Sequence, residues 1–504
     1  MVDNVIQGKT RSRREFCSFY TESDPILTYM VKRLGVVDGD SILEPCAGDG
    51  VFIEKILDSH EEEYKIDAVD LNPQAVIGLK KKFDASNIHV WQADTLLDFK
   101  SDLFSQNDYR YTKIIGNPPY GAWQDTKKRD LLKELYGGYV RETYTLFIRR
   151  CIDLLSENGR LVFIIPDTFL ALHMHKDTRK KILEETKIEE ILLIPSKFFP
   201  GVNFGYSNLC IISFVKTKAS ENHKVKIVSV KNSIDNLYKV AEQDYSAADN
   251  YQQLLQKEIL QSEGHSFLIG GNEKIRAIIK DSEIKLGDIA DCVTGFYSGD
   301  NKKYIVAKDI KVRGSKGYSV VGNSQIDFNF LENPNLINGV GDKQRYISFL
   351  KNAIGTIKKP TEWYIRWDKN TVQGYKNSQV ARFQNSKYYF KDGIGVPMVK
   401  SNNIHAILLE KRLFDQSVVG IFPKNKQYQN YLLGFLNSET CATILKVINH
   451  TANNSANYLK KLPIILDKKS IKGVEKVLEA FFRNEDKEDA LREINKIFKI
   501  LYGF

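Results

Sequence analysis

The run Ile114-Ile115-Gly116-Asn117-Pro118-Pro119-Tyr120 constrains this chain more than any other stretch. Thr112 to Ile115 reads as a short apolar strand, and two consecutive prolines end it. Each proline lacks a backbone N–H and holds φ near about −65°, so neither a helix nor a central strand continues through them. A stiff, extended turn therefore follows the carboxyl end of a strand, the edge on which open α/β sheets bind ligands. The turn offers an Asn amide, proline carbonyls and an aromatic face. The Asn oxygen and a proline carbonyl can accept both protons of a planar amino group. That draws its nitrogen lone pair out of conjugation while Tyr120 stacks on the attached ring. Taken alone, these residues fit an ordinary proline-rich loop with a buried tyrosine equally well. The segments upstream decide between the two.

Upstream lies Ser41-Ile42-Leu43-Glu44-Pro45-Cys46-Ala47-Gly48-Asp49-Gly50, a strand, a glycine-bearing turn and then a helix from Val51 to Leu57. Glycines let backbone approach a ligand closely at a first βα switch. Ile53 stands where a dinucleotide fingerprint has its third glycine, which argues against nicotinamide. A second strand, Lys65 to Val69, ends in Asp70, and an acid there can bind a ribose diol. A third, Ile88 to Gln92, ends at Ala93-Asp94, whose carboxylate could accept from an adenine amino group. Each acid alone is explained by a helix cap. Three of them, Glu44, Asp70 and Asp94, at three successive strand tips are harder to explain that way.

Further strands are expected at Arg160–Ile165, Glu190–Ile194 and Asn208–Val215, with helices between all but the last pair. Ser23 or Asp24 can cap a helix running to Leu34, and another helix is expected over Tyr144–Leu155. The fold class is α/β: seven strands in a Rossmann-like, largely parallel sheet whose last strand is antiparallel. Residues 216 to about 265 are charged and read as a peripheral hairpin or helix and linker, with a helix over Asn250–Glu263. The remaining half is rich in Gly, Asn, Lys and aromatics. Lys358 to Lys369 interleaves bases with Trp363, Tyr364 and Trp367, a texture that suits phosphate contact with stacking or groove entry, or else a buried aromatic core. Helices are expected at Tyr431–Asn437 and Thr440–Ile448, and an amphipathic pair from Lys472 to Leu501. The expected division is a sheet domain over 1–217, a linker over 218–265, and an α+β domain with C-terminal helices over 266–504.

A chain of 504 residues exceeds one ordinary domain, and its net charge of +10 is consistent with a polyanionic partner. The six cysteines form no CxxC pair, so neither a disulfide framework nor a zinc site is expected. Met1 to Phe16 is polar and basic, unlike a signal peptide, and no apolar run is long enough to span a membrane. A cytoplasmic protein follows as the expectation.

With the glycine turn, three acids and Asn-Pro-Pro-Tyr in order, the chain resembles the S-adenosylmethionine-dependent amino-methyltransferases. More narrowly, it resembles the gamma-class adenine-N6 DNA methyltransferases of restriction–modification systems, the TaqI-like group. The likeness covers the first 215 residues. It is weaker over 284–466, where Gly299-Asp300-Asn301-Lys302 and Leu432 to Ser438 look like parts of that family's target-recognition domains. The resemblance implies that Tyr20 and Thr21 cover the methionine end of S-adenosyl-L-methionine, beside Glu44, Pro45, Cys46 and Ala47. It implies Asp70 on the ribose hydroxyls, Leu71 against the cofactor's adenine, Asp94 on its amino group, and Asn117 and Pro119 beside the cofactor. It assigns Asn117, Pro118, Pro119 and Tyr120 to catalysis, with Asn117 and Pro118 on the target N6. Tyr120 and Phe199 would stack on the flipped base, with Phe198 the alternative to Phe199. Asp70 stands where the close TaqI-like pattern has Glu.

The reaction implied is direct methyl transfer to adenine N6 in double-stranded DNA after the base leaves the stack. No metal is expected. Double-stranded DNA is the expected partner of a monomer, alongside a cognate restriction endonuclease on the same site. Two alternatives stay open. Asn-Pro-Pro-Tyr also resembles the motif of RNA and protein-glutamine N-methyltransferases, and the second half alone could serve a non-catalytic DNA specificity subunit.

Overall fold

The computed structural model describes residues 23–61, 63–97, 110–121, 125–199, 208–355, 357–399, 405–449, 453–484 and 486–504. The chain forms two compact units, Met1–Ile269 and Gly270–Phe504. Among the described residues no helix is long and apolar enough to cross a membrane.

The first unit runs α1 (Asp24–Leu34), β1 (Ser41–Glu44), α2 (Val51–Ser59), β2 (Lys65–Asp70), α3 (Pro73–Lys82), β3 (Ile88–Gln92) and β4 (Tyr111–Gly116). It continues through α4 (Thr126–Tyr136), α5 (Thr143–Leu154), β5 (Leu155–Pro166), α6 (Lys176–Glu185), β6 (Lys187–Ile194) and β7 (Leu209–Val215). It closes with β8 (Lys224–Ser229), α7 (Asn236–Ala241), β9 (Asn250–Leu255) and α8 (Gln256–Gln261). The strands form one sheet in the order β3-β2-β1-β4-β5-β7-β6-β8-β9. β1, β2, β3, β4 and β5 pair in parallel, and β7 lies antiparallel between β5 and β6. Helices cover both faces of a parallel sheet, so its central strands are apolar throughout. Leu161 to Ile165 are fully buried, and every residue of β7 is buried.

The sheet has nine strands where the sequence suggested seven. The first seven are the expected ones. β8 pairs in parallel with β6, and β9 antiparallel with β8, so the segment after β7 is the hairpin of the two readings, joined to the sheet, and not a linker. Three of its side chains help to fasten it. Tyr245 donates its hydroxyl to Glu190 at 2.5 Å, and Tyr238 to Asp24 at 2.6 Å. The buried Gln256 side chain donates to the carbonyls of Leu183 and Thr186 and accepts from the Ile188 N–H. The helix expected over Asn250–Glu263 is instead strand to Leu255 and helix only from Gln256 to Gln261. The open edge of β8 presents backbone donors and acceptors that need partners, and pairing with it makes Asn250–Leu255 a strand. α5 also ends earlier than expected, and β5 begins directly at Leu155.

The second unit holds α9 (Glu273–Asp281), β10 (Ala290–Thr294), β11 (Ile305–Ala307), β12 (Tyr346–Leu350), β13 (Trp363–Arg366), α10 (Lys369–Asn377) and β14 (Ile394–Pro397). β15 (Ile407–Leu408), β16 (Leu413–Phe414) and β17 (Val418–Pro423) follow. Towards the end of the chain come α11 (Gln429–Asn437), α12 (Glu439–Ile448), α13 (Lys468–Asn484) and α14 (Lys487–Tyr502). The strands form two four-stranded sheets, β10-β17-β14-β15 and β11-β13-β12-β16. Trp363 and Trp367 are 2% and 0% exposed, so they are core residues, and stacking on a nucleic acid by these two rings is excluded in this fold. Trp367 donates its indole N–H to the Leu336 carbonyl at 2.8 Å and meets Phe296 edge-on at 5.5 Å. Phe498 of α14 packs against Tyr431 and Phe435 of α11, each ring 5.4 Å away.

Candidate active site at the carboxyl ends of β1 to β4

Strand order reverses between β1 and β4, and the helices that follow them leave in opposite directions along the sheet. A crevice forms at such a point. The turn after β1 requires glycine: Gly50 has φ +74°, and a Cβ there would lie 2.5 Å from Phe83 and 2.7 Å from Leu79. At the end of β4, a Cβ on Gly116 would stand 3.4 Å from Pro45 Cδ, so the two turns lie against each other.

The acids named from sequence do sit at these tips. Asp70 ends β2 and joins it to the glycine turn: Oδ2 accepts from the Gly48 N–H at 2.8 Å and Oδ1 from the Asn72 N–H at 2.7 Å. Burial raises its pKa, and these backbone donors oppose the rise. Leu71 beside it is 45% exposed, an apolar surface at the rim. Glu44 ends β1 at 2% exposure, and its Oε2 has no hydrogen-bond partner among the described residues. Burial first, and then the nearby Asp70 charge, push its carboxyl well above the usual range. Burial likewise raises the Cys46 thiol, which lies by the Asn117 backbone N–H. Ala47 donates its N–H to the Val69 carbonyl at 2.9 Å, and Thr95 donates to the Pro45 carbonyl at 2.7 Å. Asp94 is already engaged, by Lys128 Nζ at 2.6 Å and the Leu96 N–H at 3.0 Å. A carboxylate has about four acceptor sites, so a further donor remains possible there.

Asn117 and Pro119 are half-buried, while Pro118 and Tyr120 are buried. The turn is held from behind by the start of α5. Thr143 donates its hydroxyl to the Pro119 carbonyl. Tyr144 meets the Tyr120 ring edge-on at 6.2 Å, and its own hydroxyl bonds His175 Nε2 at 3.2 Å. Glu142 pairs with the same His175 nitrogen at 2.9 Å. Phe198 and Phe199 lie in the short turn after β6, 8% and 2% exposed. Tyr20 and Thr21 lie outside the described residues.

Lys128, Thr143, Tyr144 and His175 escaped the sequence reading. Lys128 sits in an ordinary basic run, and no spacing ties the α5 residues to a turn some two dozen positions earlier. Chemically, the strand tips of β1 and β2 offer a buried carboxyl with an unsatisfied oxygen, Glu44, and a half-buried one, Asp70. Such a pair suits a ligand that brings positive charge and hydroxyl donors, since a buried unpaired acceptor is costly. Among the described residues no cluster of His, Cys, Asp and Glu could hold a metal ion.

Residues 47–199 match the family model described as Eco57I restriction-modification methylase. The type II methyltransferase M.AccI of Acinetobacter calcoaceticus is 31% identical over 193 residues, 36% of this chain and 34% of that protein. M.HincII of Haemophilus influenzae is 27% identical over 227 residues, 43% of this chain and 40% of that protein. The matched segment thus spans less than half the length of these curated relatives. Among solved structures, a nuclease-deletion mutant of the type ISP restriction-modification enzyme LlaGI with a DNA substrate mimic aligns over 92% of this chain and 47% of its own. Its TM-score is 0.55 at 13% identity. A DrdV–DNA complex aligns over 92% and 57%, with TM-score 0.55 at 12% identity. At such identities the structural likeness speaks for the fold alone. By sequence, the N-terminal unit of this chain is related to the methyltransferases of restriction–modification systems.

Proposed function

We propose that this chain methylates the N6 amino group of adenine in double-stranded DNA, using S-adenosyl-L-methionine, as the modification activity of a restriction–modification system. The observation that carries this reading is the Asn117–Tyr120 turn at the end of β4, against the glycine turn and beside the carboxylates of β1 and β2. S-adenosylmethionine supplies a methyl group on a positively charged sulfonium. Glu44 and Asp70 fit that group: one brings an orphaned buried oxygen, the other a carboxylate fixed by two backbone donors. Leu71 is exposed beside Asp70, where an adenine could lie on it.

The chain's own residues then orient the amine. Asn117 and the Pro118 carbonyl accept its two protons and sharpen its lone pair. The Tyr120 ring, backed by Tyr144, stacks on the base. Thr143 fixes the Pro119 carbonyl, and with it the plane of the turn. Catalysis rests on alignment and on acceptors placed where positive charge develops on nitrogen. The base must first leave the duplex, because its amino group is paired and stacked there.

The test is labelled S-adenosylmethionine with unmethylated DNA, ribosomal RNA and whole-cell protein offered separately. Label at adenine N6 within one short DNA motif is expected. Asn117→Ala should abolish transfer and retain measurable DNA binding. Label in RNA or protein alone would overturn the substrate, and wild-type rates in Asn117→Ala would overturn the site. DNA binding without transfer to any substrate would favour a specificity subunit.

A further inference from the structure

A cavity of about 740 Å³ opens within the second unit, walled by Lys351, Arg382, Gln384, Asp415, Gln416 and Ser417 among others. It lies where β12 and β16 end, since Lys351 and Asp415 are the residues that follow them. Asp415 is only 5% exposed. Its Oδ1 accepts from the Ser417 N–H at 2.8 Å, while Oδ2 has no hydrogen-bond partner among the described residues. Lys351 Nζ is held between two aromatic faces, 3.5 Å from the Tyr318 centroid and 3.7 Å from that of Trp363. Burial lowers its pKa to about 8, with Asp415 opposing. Arg382 is exposed, but its backbone is pinned: its N–H donates to the Tyr297 carbonyl at 2.8 Å and its carbonyl accepts from the Tyr297 N–H at 3.3 Å. Gln384 donates to the Gly295 carbonyl at 3.0 Å.

These groups constrain an occupant. A buried carboxylate oxygen without a donor calls for one. Lys351 and Arg382 call for acceptors. A simple anion meets the second demand and is repelled by Asp415, so the occupant must show a donor beside acceptors. The major-groove edge of a G·C pair does this: guanine N7 and O6 accept, and cytosine N4 donates. Arginine is a bidentate reader of guanine, and aspartate accepts from cytosine N4.

We propose that this cavity reads one G·C base pair of the DNA target, with Arg382 on guanine N7 and O6 and Asp415 on cytosine N4. Burial raises the Asp415 carboxyl, and the Ser417 hydrogen bonds, then Lys351, oppose that rise. The inference rests on DNA being the substrate and adds which residues set one position of its sequence.

The test is to express wild type and variants in a host lacking adenine methylation and to map modified adenines in its DNA. The wild-type motif should hold a fixed G·C pair. Arg382→Ala and Arg382→Gln should relax that one position, by about tenfold or more in preference, and leave the other positions intact. Arg382 is exposed, so these variants should melt like wild type. Asp415→Asn should relax the same position. An unchanged motif in the Arg382 variants, or equal loosening at all positions, would overturn the assignment while leaving the methyltransferase reading standing. A wild-type protein that leaves DNA unmodified would overturn both.

Discussion

Glu44 is at odds with its surroundings: a carboxyl at 2% exposure with one unsatisfied oxygen and Asp70 close by. Its pKa in the folded chain lies well above the ordinary 4.5. The folded state therefore binds more protons than the unfolded one in the window above 4.5. Stability from this group is fully present below that value and is lost as pH rises through the folded pKa. Glu44→Gln keeps the shape and removes the charge. The ligand-free variant should melt higher than wild type at pH 8, with a smaller gap at pH 5, and should bind S-adenosylmethionine more weakly. A melting gap independent of pH would show that Glu44 carries no such penalty. At this scale the sequence was legible where chemistry and position coincide. The three acids stood out because each ended an apolar run. Trp363 and Trp367 stayed open between contact and core because interleaved lysines and tryptophans look alike whether the rings face a ligand or, as here, the core.

The Asn117–Tyr120 turn is stiff because of its prolines, but its placement depends on α5. Thr143 is 2% exposed, and its hydroxyl meets the Pro119 carbonyl. Thr143→Val is close in shape and removes that donor, so it should cost about 0.5–1.5 kcal/mol, the net worth of a hydrogen bond to a half-buried acceptor. Because it shifts the turn without touching the strand tips at Asp70, kcat should fall while the KM for S-adenosylmethionine holds. Equal changes in both, measured by steady-state methylation, would argue that α5 supports the whole crevice instead. Elements were easiest to find where burial on both faces produced unbroken apolar runs, as in β5 and β7. β9 was hidden because the run from Asn250 to Gln253 is polar apart from Tyr251 and shows no apolar alternation. Only the neighbouring β8, a tertiary partner, makes that run a strand.

At the scale of the whole chain, the change in texture near residue 266 falls close to the start of the second unit at Gly270, but the membership of the stretch before it was not legible. Residues 218–265 belong to the first unit, because polar side chains such as Gln256 are spent on its backbone. This has a consequence for how the protein stays dispersed in water. β6 is a strand of mostly apolar residues, Ile188, Ile191, Leu192, Leu193 and Ile194 among them, and β8 occupies its outer side. The last strand of the sheet is β9, which shows Asn250, Tyr251 and Gln253 to solvent. A sheet that ended at β6 would offer a sticky template to every other copy, whereas one that ends at β9 offers a polar border. A fragment of residues 23–217 should therefore clump on purification, and one of residues 23–269 should elute as a single small species. If the shorter fragment runs monodisperse by size exclusion, the added strands are dispensable trim; if it clumps, they are the selvedge that keeps the sheet from being woven into its neighbours.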